Sequence, residues 1–159
     1  MSRFVTIAGA QLGGIRRDEP REEVVARMTA LLREAHARQA EVIVFPELAL
    51  TSFFPRWWMT DQAAVDAFFE KEMPNKATQP LFSEAKKLGV GFYLGYAELA
   101  VEDGQTKRYN TAILVDRSGA IVGKYRKIHL PGHADHRPQM PYQHLEKHYF
   151  DVGNLGFGT

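Results

Sequence analysis

Apolar positions follow more than one rhythm along this chain. Phe4 to Ala10 is a short β-branched and apolar stretch that reads as a buried strand, and Gln11 to Arg17, with Gly13-Gly14, as the loop that leaves it. Val24, Val25, Met28, Leu31, Leu32 and Ala35 then recur at the 3.6-residue spacing of one helical face, while Arg21, Glu22, Arg27, Arg33 and Glu34 take the other. Asp18 stands where it could cap that helix, and Pro20 suits its first turn. Val42-Ile43-Val44-Phe45 is a continuous apolar run too short for a helix, the pattern of a parallel strand covered on both sides. Strand, helix and strand in this order predict a βαβ unit.

The aromatic stretch Phe53 to Trp58 has no clean period and reads as an ordered loop. Thr60-Asp61 starts a predicted helix with Val65, Phe68, Phe69 and Met73 inward, and Thr78 with Pro80 starts another carrying Leu81, Phe82, Ala85 and Leu88. Gly89 to Ala97, Tyr109 to Val115 and Ala120 to Ile128 have strand character, with turns at Asp103-Gly104 and Asp116 to Gly119 between them. They predict an antiparallel meander added to a parallel core. Beyond Ile128, Pro131, Gly132, Pro138, Pro141, Gly153, Gly156 and Gly158 mark a long loop region, and the run to Gly158-Thr159 reads as interrupted, with no closing element.

Composition narrows the function classes. In 159 residues, 45% hydrophobic content supports a packed core, which argues against disorder. Twenty Lys and Arg against 19 Asp and Glu leave a net charge of +1, which speaks against a dedicated nucleic-acid or membrane-surface binder. No apolar run approaches the length of a spanning helix, and Met1 to Ile7 lacks the h-region of an export signal, so a soluble, cytoplasmic protein is expected. With no cysteine, the chain offers no disulfide, no thiolate metal site and no cysteine nucleophile of its own.

Three features could carry chemistry. Glu47 follows the buried run Val42 to Phe45, at the strand end that faces the functional crevice in open α/β sheets. From position alone an exposed loop acid or a helix cap is the commoner reading, although desolvation by the neighbouring aromatics would raise its pKa toward general-base work. In Gly123 to His133, strand alternation aims Ile121, Tyr125, Lys127 and His129 one way and Lys124 and Arg126 the other. A lysine on a buried face needs an anionic partner or a transient oxyanion, whereas a solvated edge strand would explain the same basic run. The third feature is the group His129, His133, His136, His144 and His148. Pro131-Gly132 breaks any helix that would align His129 with His133, and no H-E-x-x-H occurs, so no metal is expected. Gly89, Gly91 and Gly95 lie inside strand-like sequence, which disqualifies them as a dinucleotide fingerprint.

Phe45-Pro46-Glu47-Leu48 after an apolar strand, followed by Tyr125 to Leu130 after a meander, resembles the first two signature blocks of the nitrilase, or carbon-nitrogen hydrolase, superfamily. The longer stretches Glu47 to Trp57 and His144 to Phe150 are similar to the N-carbamoyl-D-amino-acid amidohydrolases within it. The resemblance implies an α/β fold, the N-terminal part (residues 1–159) of a four-layer α-β-β-α sandwich that pairs into homo-oligomers. It also implies a glutamate, lysine and cysteine triad, with Glu47 as base, Lys127 as oxyanion donor and Glu146 as a supporting carboxylate. His144 and His129 are implied, less directly, as substrate-positioning groups. The family's cysteine belongs to a block downstream of Thr159. On this resemblance the substrate is an N-carbamoyl amino acid, no cofactor is required, and the chain is inactive alone. Another nitrilase-type amidase, a ureidopropionase and a noncatalytic scaffold remain as alternatives.

Overall fold

The computed structural model describes residues 4–157; the Met1 to Arg3 start and the Gly158-Thr159 end lie outside the described residues. Five strands form one mixed sheet in the order β1 (Ile7–Gly9), β2 (Val42–Val44), β3 (Gly91–Glu102), β4 (Gln105–Val115) and β5 (Ile121–Arg126). β1, β2 and β3 are parallel, and β3, β4 and β5 form the expected antiparallel meander. Helix α1 (Arg21–Ala37) joins β1 to β2, giving the βαβ unit. Pro20 fixes its entry, and no side chain caps it, so Asp18 does not have the role its position suggested. Asp61 does cap the short helix α2 (Gln62–Asp66), accepting from the Ala63 amide. Helix α3 (Gln79–Leu88) ends on Gly89 in the left-handed conformation.

The two faces of the sheet differ sharply. Ile43, Phe92, Leu94, Ile113 and Val115 are fully buried against Val24, Met28 and Leu32 of α1 and Leu81, Phe82 and Ala85 of α3. The other face is open around Val44, Tyr93 and Leu114 and is covered only farther along β3, at Ala97 and Leu99. The cross-strand row Gly9, Val44, Tyr93, Leu114 and Gly123 crosses all five strands, and its three large side chains are 37–43% exposed. Two expectations are corrected here. The first strand is a three-residue edge strand with Ile7 exposed, not a buried one, and β2 is covered on one side only, because α1 and α3 both pack on the same face.

A second core gathers around Phe54, in a 3-10 turn spanning Phe54–Arg56. Its ring meets Phe68, Phe69, Tyr149 and Phe150 at centroid distances of 4.8, 5.4, 5.5 and 5.7 Å. The aromatic loop is thus the seat of a one-turn helix, α4 (Glu146–Tyr149), inside the region read as loop. The Leu145 amide donates to Pro55 O at 2.8 Å, and the Tyr149 hydroxyl donates to Trp57 O at 2.6 Å.

Gly95 lets the backbone after β2 arch over the open face. A Cβ there would lie 2.9 Å from Glu47 Cα and 3.0 Å from Pro46 O. The arch continues into Leu48, a buried residue held at φ 48°, a conformation that side chains other than glycine's rarely adopt. Gly95→Ala should therefore lower the unfolding free energy by about 1–3 kcal/mol, since backbone must move. Gly123→Ala, whose Cβ would meet only Leu114 Cβ at 3.5 Å, should change little. Denaturant unfolding of both variants checks this.

Candidate active site

Four segments converge at the edge of the open face. Glu47 comes from the arch, Asn110 from the middle of β4, Lys127 from the residue after β5, and Glu146 from the first position of α4. Lys127 Nζ donates to Glu47 Oε1 at 2.7 Å and to Glu146 Oε2 at 2.8 Å. Asn110 Nδ2 donates to Glu47 Oε1 at 2.7 Å and reaches Glu146 Oε2 at 3.4 Å. His144 Nε2 lies 2.9 Å from the other oxygen, Glu146 Oε1. The side chains of Glu47, Lys127 and Glu146 are 47%, 26% and 1% exposed. Glu146 is therefore the sealed anchor of the cluster, and Glu47 faces solvent.

An ammonium has three N–H groups, and two are engaged here. Among the described residues the third has no partner, so it is free to meet an incoming oxygen. The cluster borders a cavity of about 340 Å³ whose lining includes Tyr93, Asn110, Tyr125, Lys127 and His129. His129 shares this cavity with Lys127, and its ring stacks on Phe157. His144 faces Glu146 and the edge of Phe53 and does not line the cavity. His136 and His148 flank the Trp58 ring, and the described residues contain no group of three or more His, Asp or Glu side chains that could hold a metal ion.

The electrostatics revise one expectation. Burial pushes the Glu47 carboxyl up, but hydrogen bonds from Lys127 and Asn110 and the charge of Lys127 outweigh it, so its pKa lies below the ordinary value. Burial likewise works against the Lys127 ammonium, and its bonds to Glu146 and Glu47 overcome that and raise its pKa. The pair is held ionised.

The alternation read along the basic strand holds only after its first residues. A register irregularity at Leu114 and Val115 places Ile121 opposite Val115 and Gly123 opposite Leu114, which moves Ile121 off the Tyr125 face. Lys124 and Arg126 do point away from the site, and while Lys124 is exposed, Arg126 is not. Arg126, 6% exposed, bonds Glu98 and Glu102 and lies 3.9 Å over the Tyr109 ring, and Lys124 also bonds Glu98. Burial pushes the Glu98 carboxyl up, but bonds from Arg126, Lys124 and Thr111 bring it down to about 2. Asn110 was not singled out from the sequence. Its one signal is an amide inside the strand Tyr109 to Val115, where a buried polar group needs a partner.

The profile of the carbon-nitrogen hydrolase family matches residues 6–158, and the chain belongs to that family. It is 32% identical over 137 residues to an N-carbamoylputrescine amidase of Arabidopsis thaliana, covering 84% of this chain and 40% of that protein. The fold matches a carbon-nitrogen hydrolase from Helicobacter pylori G27 with a TM-score of 0.69 and 24% identity, over 96% of this chain and 46% of that one. It also matches an amidase from Nesterenkonia sp. AN1 with acrylamide added at its active site cysteine, at a TM-score of 0.67 and 19% identity, over 96% and 51% of the two chains. The chain spans less than half the length of the curated relative. Among the described residues no helix is long and apolar enough to cross a membrane.

The pKa directions give a pH profile. Glu47 and Glu98 are depressed from an ordinary 4.5, so the stability they supply is present above pH 4.5 and is lost as pH falls through their folded values. Lys127 is raised from 10.5, so its contribution is present below pH 10.5 and is lost as pH rises through the folded value. The melting temperature should be level between these limits and fall on both sides, and Glu47→Gln should shallow the acid limb. An unchanged acid limb in that variant would contradict the Glu47 assignment.

Proposed function

We propose that this chain supplies the base and the oxyanion donor for hydrolysis of the carbon-nitrogen bond of N-carbamoyl-D-amino acids, with a cysteine thiol from outside these 159 residues as nucleophile. The observation that carries the reading is the Glu47, Lys127 and Glu146 cluster, bonded together beside an open cavity in a chain without cysteine. Glu47 accepts the thiol proton as the sulfur attacks the carbamoyl carbon, and Lys127 donates to the resulting oxyanion. Glu47 passes the proton to the departing amine nitrogen, then takes one from water as the hydroxide attacks the carbamoyl thioester; the carbon–sulfur bond breaks and Glu47 returns this proton to the leaving thiolate. The released carbamic acid breaks down to carbon dioxide and ammonia. His129 borders the site from the Lys127 side, and His144 steadies Glu146, through which each helps to position substrate. No cofactor enters the scheme.

The D-amino-acid preference is supported by the resemblance of Glu47 to Trp57 and His144 to Phe150 to the D-specific amidohydrolases. A second reading, an N-carbamoyl amine such as carbamoylputrescine as substrate, is favoured by the similarity to the N-carbamoylputrescine amidase of Arabidopsis thaliana. In either case the open face with Val44, Tyr93 and Leu114 receives the second sheet of an α-β-β-α sandwich, and the complete enzyme assembles as a homo-oligomer.

In the complete protein, Glu47→Gln should lower turnover on the order of 10²–10⁴-fold while the protein stays folded, because shape is kept and basicity removed. Lys127→Met should abolish acylation, with Lys124→Met as the control on the opposite face. Burst kinetics with an N-carbamoyl-D-amino acid and its L enantiomer checks both; near-native turnover in Glu47→Gln would make Glu47 a loop acid.

The 159 residues alone should hydrolyse no ureido or amide substrate and should aggregate through the open sheet face. Mixing them with a separately produced downstream half should restore solubility and turnover together, as read by light scattering and ammonia release.

A further inference from the structure

Asn110 is a neutral residue bonded to all three charged members of the site. It is 5% exposed in β4, where an amide needs partners. Its backbone carbonyl accepts from the Lys127 amide at 2.8 Å, while Nδ2 lies 2.7 Å from Glu47 Oε1 and 3.4 Å from Glu146 Oε2. Ionised carboxylates only accept, so the amide nitrogen and not its oxygen faces them, and both of its N–H groups are spent on the protein. A substrate gains no donor here. Both donors to Glu47 fall on the same oxygen. Lys127 and Asn110 share Oε1, and among the described residues Oε2 has no donor.

We propose that Asn110 is a positioning residue: it keeps Oε1 of Glu47 occupied, so that Oε2 is the oxygen that takes the proton, and it goes on doing so while Lys127 turns to the oxyanion. The inference rests on the proposed hydrolysis and adds to it which oxygen acts and what holds it. In acylation the thiol proton passes to Oε2, the sulfur pair forms the bond to carbon, and the carbonyl π pair moves to the oxygen that Lys127 meets. An ammonium on a flexible stem is drawn to that charge and loosens its grip on Oε1. The amide has no charge to be drawn and is anchored in a strand, so the carboxylate keeps its orientation. Lys127, Glu146 and His144 face Glu47 most closely, with Tyr93, Tyr125 and His129 around the cavity and Arg16, Arg17 and Arg56 on the other side of the arch. An Asn110 substitution changes none of them, so a moved Glu47 titration reports the lost amide.

The test uses the complete protein, with N-carbamoyl-D-alanine and carbamoylputrescine as substrates. The Glu47 titration is followed by NMR of carboxyl-labelled glutamate, its resonance being the one that disappears in Glu47→Gln. In Asn110→Leu the titration midpoint should move up, because a donor to the carboxylate is gone, and kcat should fall about tenfold with KM nearly unchanged. Asn110→Asp keeps the shape and adds a third carboxylate around one ammonium, so its midpoint should move up further; this variant decides the matter if the leucine variant does not fold. Asn75→Leu removes an amide donor from Glu70 away from the cavity, and should lower the melting temperature but move neither midpoint nor kcat. A midpoint unmoved in the Asn110 variants, or a raised KM with kcat intact, overturns the proposal and leaves the hydrolysis reading standing. A midpoint that follows Asn110 in a protein hydrolysing neither substrate upholds its hold on Glu47 and refutes the hydrolysis.

Discussion

Lys127 holds two carboxylates that the chain has no other way of keeping together. Glu146 is almost wholly withdrawn from water, and a carboxylate at that depth is costly to leave without a partner. Glu47 sits at the end of a strained arch and would be free to swing into solvent. The ammonium binds both through short charge-assisted bonds, and the Asn110 amide repeats the bridge with a neutral donor. Because the partners lie 80 and 19 residues from Lys127 in sequence, much of the architecture is recruited to this one contact. It requires the parallel β2 beside β3, the meander that returns Lys127, and the aromatic core that seats α4. Lys127 has this structural task beside the chemical one proposed for it, so loss of activity on its removal is interpretable only beside a stability measurement.

The two faces of β5 divide that labour. Arg126 and Lys124 are pinned by Glu98, Glu102 and Thr111 to a polar network, while Tyr125 and Lys127 face the cavity. A strand at the edge of a sheet frays easily unless something ties it down. Here the buried Arg126 guanidinium provides the tie, and the Lys127 amide bonded to Asn110 O at 2.8 Å extends it past the end of the strand. The position of Nζ is thereby set partly from behind, by Arg126 and Glu98, which do not line the cavity. Arg126 is for this reason no neutral comparison for Lys127, although the two are adjacent and both cationic.

Much of this was legible from residue order. Periodicity located α1, α3 and the three-strand meander because each buries one continuous face, and the blocks around Glu47 and Lys127 carried the family. The extents of β1 and β2 and the depth of their burial were not legible, since a run such as Val42 to Phe45 reads the same whether one sheet face is covered or both. The short helix α4 was hidden among Pro and Gly residues because its stability comes from Phe54 and Tyr149 packing, a tertiary cause. Desolvation at Glu47 does push its pKa up, but the net shift is downward, opposite to the expectation. Desolvation is visible in neighbouring aromatics, whereas the two donors that overcome it arrive from residues 110 and 127.

A carboxylate held below its ordinary pKa is well placed to be ionised but poorly placed to grip a proton, and under the hydrolysis proposed above the geometry would contain its own remedy. Glu47 owes its acidity to Lys127 and Asn110, two donors sharing one oxygen. Were charge to develop on a substrate oxygen, the ammonium would be drawn toward it, and whatever attraction it transferred would be withdrawn from Glu47. The carboxylate would then become more basic at the step in which the proposal has it take a proton, and Glu146, bound to the same nitrogen, would keep the ammonium from leaving altogether. In that scheme proton acceptance and oxyanion stabilisation are coupled through one Nζ, and the buried second carboxylate sets how much charge Lys127 can lend.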